Sequence, residues 1–145
     1  QERNMRAGTE NLYGVVGFAK ALELAITHLE TDRAHILSLK SYLMQRLQEL
    51  GDVRFNGDAD GACLYTVLNV SFPRTETTEM LLMNLDMKGI CVSGGSACSS
   101  GADMGSHVIR AVAPGVDRVP IRFSFCKHNT NAELDQLVET LKDSL

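Results

Sequence analysis

A chain of 145 residues with 44% apolar content is of single-domain size and can build one sizeable core. Its net charge of -4, without clustered Lys and Arg, argues against nucleic-acid binding, which needs cations to neutralise phosphates. No window reaches the roughly 18 consecutive apolar residues of a membrane span, and the start lacks the charged-then-apolar pattern of a signal peptide, so a soluble, cytoplasmic chain with no membrane contact is expected.

The chain starts on Gln1, not Met, in a polar segment that belongs to no evident element and reads as a piece of a longer protein. In Arg6-Ala7-Gly8-Thr9-Glu10-Asn11, a Gly-Thr pair before a helix offers backbone N–H groups, a hydroxyl and a positive helix end to a phosphate. Thr9 as a plain N-cap accounts for the same letters. Leu12, Val15, Val16, Ala19, Leu22, Ile26 and Leu29, then Ile36, Leu39, Leu43, Leu47 and Leu50, recur at three and four. They predict a helix from about Asn11 to Leu50, stopped by Gly51, with a place to kink or restart at the cap-competent Thr31 and Asp32. A helix of that length suggests a strut between parts of a larger molecule.

Val53 to Asn56 reads as a short strand, and Gly57-Asp58-Ala59-Asp60-Gly61 as a turn. Leu64 to Phe72 is β-rich and mostly apolar, a central strand ended by Pro73. Thr77 or Thr78 can cap a helix whose Met80, Leu81, Leu82, Leu85 and Met87 face the sheet and which Gly89 closes. Ile90 to Ser93 is a further strand, and a small-residue loop, Gly94 to Gly105, follows. Ser106 can cap a short helix through Val112, broken by Pro114-Gly115. Ile121 to Phe125 alternates as a strand, and Thr130-Asn131-Ala132-Glu133 is a capping box that opens a helix with Leu134, Leu137, Val138 and Leu141 at helical spacing. This order predicts an α+β fold: a long N-terminal helix plus a small, mainly antiparallel sheet covered by helices.

Of four cysteines, Cys63, Cys91 and Cys126 sit beside apolar residues and read as small buried hydrophobes. No C-x-x-C pair or H-x-x-x-H marks a metal site, so none is expected. Cys98 differs. It lies in Ser93-Gly94-Gly95-Ser96-Ala97-Cys98-Ser99-Ser100, among small hydroxyl-bearing residues that cannot bury a thiol, the setting of a reactive cysteine rather than a structural one. Arg122, between Ile121 and Phe123, must leave the polar face of its strand and find an anion there. That anion is either a substrate carboxylate, which suits its planar fork, or a nearby Asp or Glu in a structural salt bridge. His107 can serve as a general base but reads equally as a surface residue.

Arg6-Ala7-Gly8-Thr9 before a long helix, the Cys98 loop, and Ile121-Arg122-Phe123-Ser124 on a strand occur in that order, and together they resemble the cysteine desulfurases. These are pyridoxal 5'-phosphate (PLP) enzymes of fold type I, in the class V aminotransferase group, and the resemblance runs over essentially the whole chain. It implies that residues 1–145 are the C-terminal small domain and that the PLP-binding large domain lies outside this chain. By position, Cys98 would attack the sulfur of L-cysteine and become a persulfide with release of alanine. Arg122 would hold the substrate carboxylate, and Thr9 would contact the PLP phosphate across a homodimer interface. The sulfur would pass to an acceptor or scaffold protein for iron–sulfur cluster assembly or thiolation. Lys20, Lys40, Lys88, Lys127 and Lys142 all lack the His-Lys context of the family's cofactor lysine, so the fragment alone is expected to be inactive. Two alternatives stay open: another fold type I aminotransferase or lyase domain, and a non-catalytic α+β module that binds a small anion through the nest of Gly94 to Gly101.

Overall fold

The computed structural model describes residues 5, 7–94, 106–112 and 117–145. They fall into two compact units, Gln1–Asp32 and Arg33–Leu145. The small-residue loop and the Pro114-Gly115 break therefore lie almost wholly outside the described residues, with Gly94 and Ser106 bracketing the first.

Helix α1 covers Leu12–Gln48 and is helical through Thr31 and Asp32, so the expected restart does not occur. Its cap is Asn11, whose Oδ1 accepts from Gly14 N at 3.1 Å; Thr9 lies two residues too early for the role. In the first unit the apolar residues of α1 are exposed, Val16 at 68% and Ile26 at 66%. By length and composition α1 also contains a stretch apolar enough to cross a membrane, with mean hydropathy 1.3. The stripe is thus real as a pattern but uncovered in this chain.

The second unit holds the core. Ile36, Leu39, Leu43, Met44 and Leu47 continue the stripe of α1 and are buried. Gly51, at φ +98°, follows as the left-handed residue that ends the helical run. Strands β1 (Arg54–Phe55), β2 (Val67–Pro73) and β3 (Arg118–Ser124) form one antiparallel sheet in the order β1-β2-β3. The central strand β2 begins later than expected because Leu64 to Thr66 turn into it.

Register sorts the two faces. Leu68 pairs with Phe123, Val70 with Ile121 and Phe72 with Val119, while Asn69 pairs with Arg122 and Ser71 with Pro120 on the opposite side. The first face joins α1, α3 (Leu81–Met87) and α5 (Asn131–Lys142) in one apolar cluster. Each fully buried leucine there contributes about 1.5–3 kcal/mol.

The segment after β2 caps earlier than expected. Thr75, not Thr77 or Thr78, accepts from Thr78 N and opens α2 (Glu76–Glu79). Of the five apolar residues expected to face the sheet, only Leu81 and Leu85 are buried. Gly89, at φ +75°, closes α3, with Ile90 N bonding Leu85 O and Gly89 N bonding Asp86 O, a Schellman pattern. Ile90 to Ser93 makes only a single bridge, Ser93 to Arg122, where a full strand was expected. Cys63, Cys91 and Cys126 are all free and exposed, which overturns their reading as buried hydrophobes.

At the start of α5, Thr130 N donates to Glu133 at 2.8 Å and Asn129 Nδ2 donates at 3.3 Å, and these bonds hold the Glu133 carboxyl below the usual carboxylate range. Because the folded value is the depressed one, this stabilisation is complete above the unfolded carboxylate value and is lost as pH falls through the folded one. Thermal melts across the acid range should show Glu133→Gln less sensitive to falling pH than the parent chain. Leu43→Ala should cost about 2–5 kcal/mol by denaturant titration. Leu22→Ala, on the uncovered half of the same helix, should change stability by less than about 1 kcal/mol.

Candidate active site

Arg122 lies mid-strand in β3 and points away from the core because Ile121 and Phe123 on either side take the buried face. It is half-buried, and among the described residues its guanidinium makes no ion pair or side-chain hydrogen bond. The alternative reading, a structural salt bridge to a nearby Asp or Glu, is therefore not met among the described residues. The neighbouring Arg118, also on β3, behaves in the opposite way. Its side chain is 7% exposed, donates to Asp52 Oδ2 at 2.8 Å and Ser71 O at 2.9 Å, and holds the Asp52 carboxyl below its ordinary value through that hydrogen bond.

A cleft of about 390 Å³ opens over Arg122, lined also by Asn56, Asn69, Ser106, His107 and Ile109. Asn56 Nδ2 donates to Asn69 Oδ1 at 2.6 Å and to Ser71 Oγ at 2.7 Å, so the floor beside Arg122 is a satisfied polar network. Ser106 Oγ accepts from Ile109 N at 3.4 Å and starts α4 (His107–Val112), as the sequence predicts. Asn56 and Asn69 had no motif to mark them; the signal for Asn69 was its polar position between Leu68 and Val70 on a mostly apolar strand. His107, which sequence alone left undecided, lines this cleft and is exposed.

Cys98 lies outside the described residues, but both described ends of its segment adjoin Arg122. Ser93 N donates to Arg122 O at 3.1 Å and Arg122 N donates to Ser93 O at 2.7 Å, while Ser106 lines the Arg122 cleft. The described residues Ser93 and Ser106, on either side of that segment, thus both lie beside Arg122. Thr9 is exposed and lies in the other unit, just ahead of α1. None of the cleft's lining residues is a lysine.

The model of the family described as aminotransferase class-V matches residues 1–137. The chain belongs to that family. Among its relatives, a cysteine desulfurase of Trichormus azollae is 40% identical over 146 residues, covering 99% of this chain and 36% of the relative. A solved NifS-like protein superposes with a TM-score of 0.75 at 33% identity, over 99% of this chain and 36% of its own. A NifS-like protein from Rickettsia africae gives 0.72 at 26% identity, covering 99% and 37%. The α+β expectation agrees with these folds, and the chain spans little more than a third of the relatives it matches.

The contrast between the two arginines is measurable. Arg122→Ala should change stability by less than about 1 kcal/mol, as for a half-buried side chain without a partner among the described residues. Arg118→Ala should cost about 2 kcal/mol or more, because it removes the side-chain donor to the carbonyl of the buried Ser71 and breaks the pair with Asp52. Denaturant midpoints of the two variants, measured side by side, check this.

Proposed function

We propose that this class-V chain is the small domain of a cysteine desulfurase, which converts L-cysteine to L-alanine and carries the sulfur on Cys98. The observation that carries the proposal is Arg122, a half-buried guanidinium without an acid partner among the described residues, facing a cleft bracketed by both ends of the Cys98 segment. A cationic fork in that position binds an amino-acid carboxylate through two charge-assisted hydrogen bonds. It thereby orients the substrate's side chain for the nucleophile.

Five residues of chain span at most about 17 Å, so Cys98 stays within reach of Ser93 and hence of Arg122. In the reaction the Cys98 thiolate attacks the substrate sulfur. An S–S bond forms, the C–S bond breaks, and the electron pair left on carbon is protonated to give alanine. PLP, when bound, withdraws electrons from the substrate's carbons so that this pair can be accommodated. Among the described residues no lysine lines the Arg122 cleft, and on this reading the attachment lysine belongs to the remainder of the parent protein. Thr9, ahead of α1, would add a hydroxyl toward the cofactor phosphate from a second copy in a homodimer. The uncovered apolar residues of α1 between Leu12 and Leu29 suit burial against that remainder. Three free exposed cysteines suit a reducing cytoplasm. The persulfide would then pass to an acceptor or scaffold protein for iron–sulfur cluster assembly or thiolation.

In the parent protein with L-cysteine and a reductant, Cys98→Ser should abolish alanine and sulfide release. Arg122→Ala should lower kcat/KM for L-cysteine roughly 10- to 100-fold, the equivalent of one charge-assisted hydrogen bond of about 1.5–3 kcal/mol. Parent activity that survives Cys98→Ser, or an Arg122→Ala enzyme with unchanged kcat/KM, would overturn the reading.

A further inference from the structure

The Arg122 cleft holds a second hydrogen-bond donor. Asn69 and Arg122 stand opposite each other in the β2–β3 register, so their side chains leave the same face of the sheet as direct cross-strand neighbours, about 5 Å apart at Cβ. Both are half-buried, and both line the cleft.

The Asn69 amide is held in one orientation. Its Oδ1 accepts from Asn56 Nδ2 at 2.6 Å, and Asn56 is itself fixed, since the same nitrogen donates to Ser71 Oγ at 2.7 Å and its backbone N donates to Asn69 O at 2.9 Å. With the oxygen so engaged, Nδ2 is the end of Asn69 left for another partner, and among the described residues it has none. A purely structural link from Asn56 to β2 accounts for the Asn69 oxygen and not for its nitrogen. Arg122 and Asn69 Nδ2 are both donors, so neither can satisfy the other. Two donors side by side, one of them cationic, call for an anion with several acceptor sites. A carboxylate offers about four lone-pair sites, so the Arg122 fork leaves room on it for a further N–H.

We propose that Asn69 is a second substrate-binding residue, donating from Nδ2 to the carboxylate of the amino-acid substrate beside Arg122, and that Asn56 is a positioning residue that keeps the nitrogen of Asn69 turned to the cleft. The identity of the substrate rests on the desulfurase reading; what is added is a determinant of selectivity. Arg122 supplies charge on a long side chain, whereas Asn69 supplies a short donor whose direction Asn56 fixes. An amino acid is thereby distinguished from an amine without a carboxylate by groups from two paired strands.

The test uses the parent protein carrying Cys98→Ser, so that bound L-cysteine is not turned over. It compares the Kd of L-cysteine with that of cysteamine, which keeps the thiol and the amine and lacks the carboxylate. Asn69→Ala should weaken L-cysteine about tenfold, the loss of one hydrogen bond to a charged acceptor, and leave cysteamine unchanged. Asn56→Asp should have the same selective effect with Asn69 intact, because the new carboxylate accepts from Asn69 Nδ2 and turns that nitrogen out of the cleft. Should Asn69→Ala fail to fold, Asn69→Asp, which keeps an acceptor for Asn56 and sets a negative charge beside the substrate carboxylate, decides by the same comparison. An unchanged Kd for L-cysteine in the Asn69 variant overturns the proposal, as does equal weakening of both ligands, the mark of a disturbed sheet. An Asn56→Asp protein that binds L-cysteine as tightly as its parent overturns the positioning role. Alanine release by the parent with Cys98 intact separates the two claims: no release overturns the desulfurase reading and this assignment with it, whereas release together with an unchanged Kd in the Asn69 variant overturns this assignment alone.

Discussion

The pairing of β2 with β3 is the constraint from which both the core and the site follow. With Val70 opposite Ile121 and Leu68 opposite Phe123, the apolar residues of both strands share one face, and Asn69 and Arg122 are forced together onto the other. Strand side chains alternate, so a slip of one residue would carry Arg122 into the apolar cluster and the phenylalanines into water. The cost of burying an unpaired guanidinium excludes that register. The position of Arg122 is therefore a consequence of where the hydrophobic residues go, and it needs no interaction of its own.

Arg118 and Arg122 share a strand and a face, four residues apart, yet end in different roles. Arg118 meets Asp52 and the Ser71 carbonyl, which satisfy it and stitch the start of β1 to β3. Arg122 meets the Asn69 side, where the Asn56 amide already occupies the acceptor, and no acid stands within ion-pair distance among the described residues. A charge left free at that depth is costly for a structural role and useful for a binding one. The Ser93 bridge strengthens this arrangement, because it pins the start of the Cys98 segment to the backbone of the arginine that would hold the substrate.

The two halves of α1 show how far periodicity reaches. The same three-and-four stripe runs through both, but only the residues from Ile36 onward find the sheet and α5 to pack on. Hydrophobic spacing specifies which face seeks cover and carries no information on what covers it. Relatives that are nearly three times as long are consistent with a helix built to serve more structure than these 145 residues contain. Local chemistry failed in a similar way for the cysteines. Apolar sequence neighbours do not bury a side chain that lies outside the helices and strands, and Cys63, Cys91 and Cys126 all lie in such segments.

Local signals sufficed where the physics is local. The capping box at Thr130 and Glu133, the stops at Gly51 and Gly89, the start of α4 at Ser106 and the alternation of β3 were all legible, because each depends on bonds or backbone angles within a few residues. The Cys98 and Arg122 segments stood out for the same reason: a thiol among glycines and serines, and a guanidinium between two apolar residues, are unusual wherever they fold. Cap competition was harder, since Thr75, Thr77 and Thr78 all offer a hydroxyl and Asn11 competes with Thr9. The choice depends on which backbone N–H each can reach. What only the tertiary structure decided is long-range: that Arg122 lacks an acid partner among the described residues while Arg118 has one, that Asn56 and Asn69 floor its cleft, and that Lys40 meets Cys63 across 23 positions. Those facts are set by strand register and helix packing, which bring together residues that share no sequence signal.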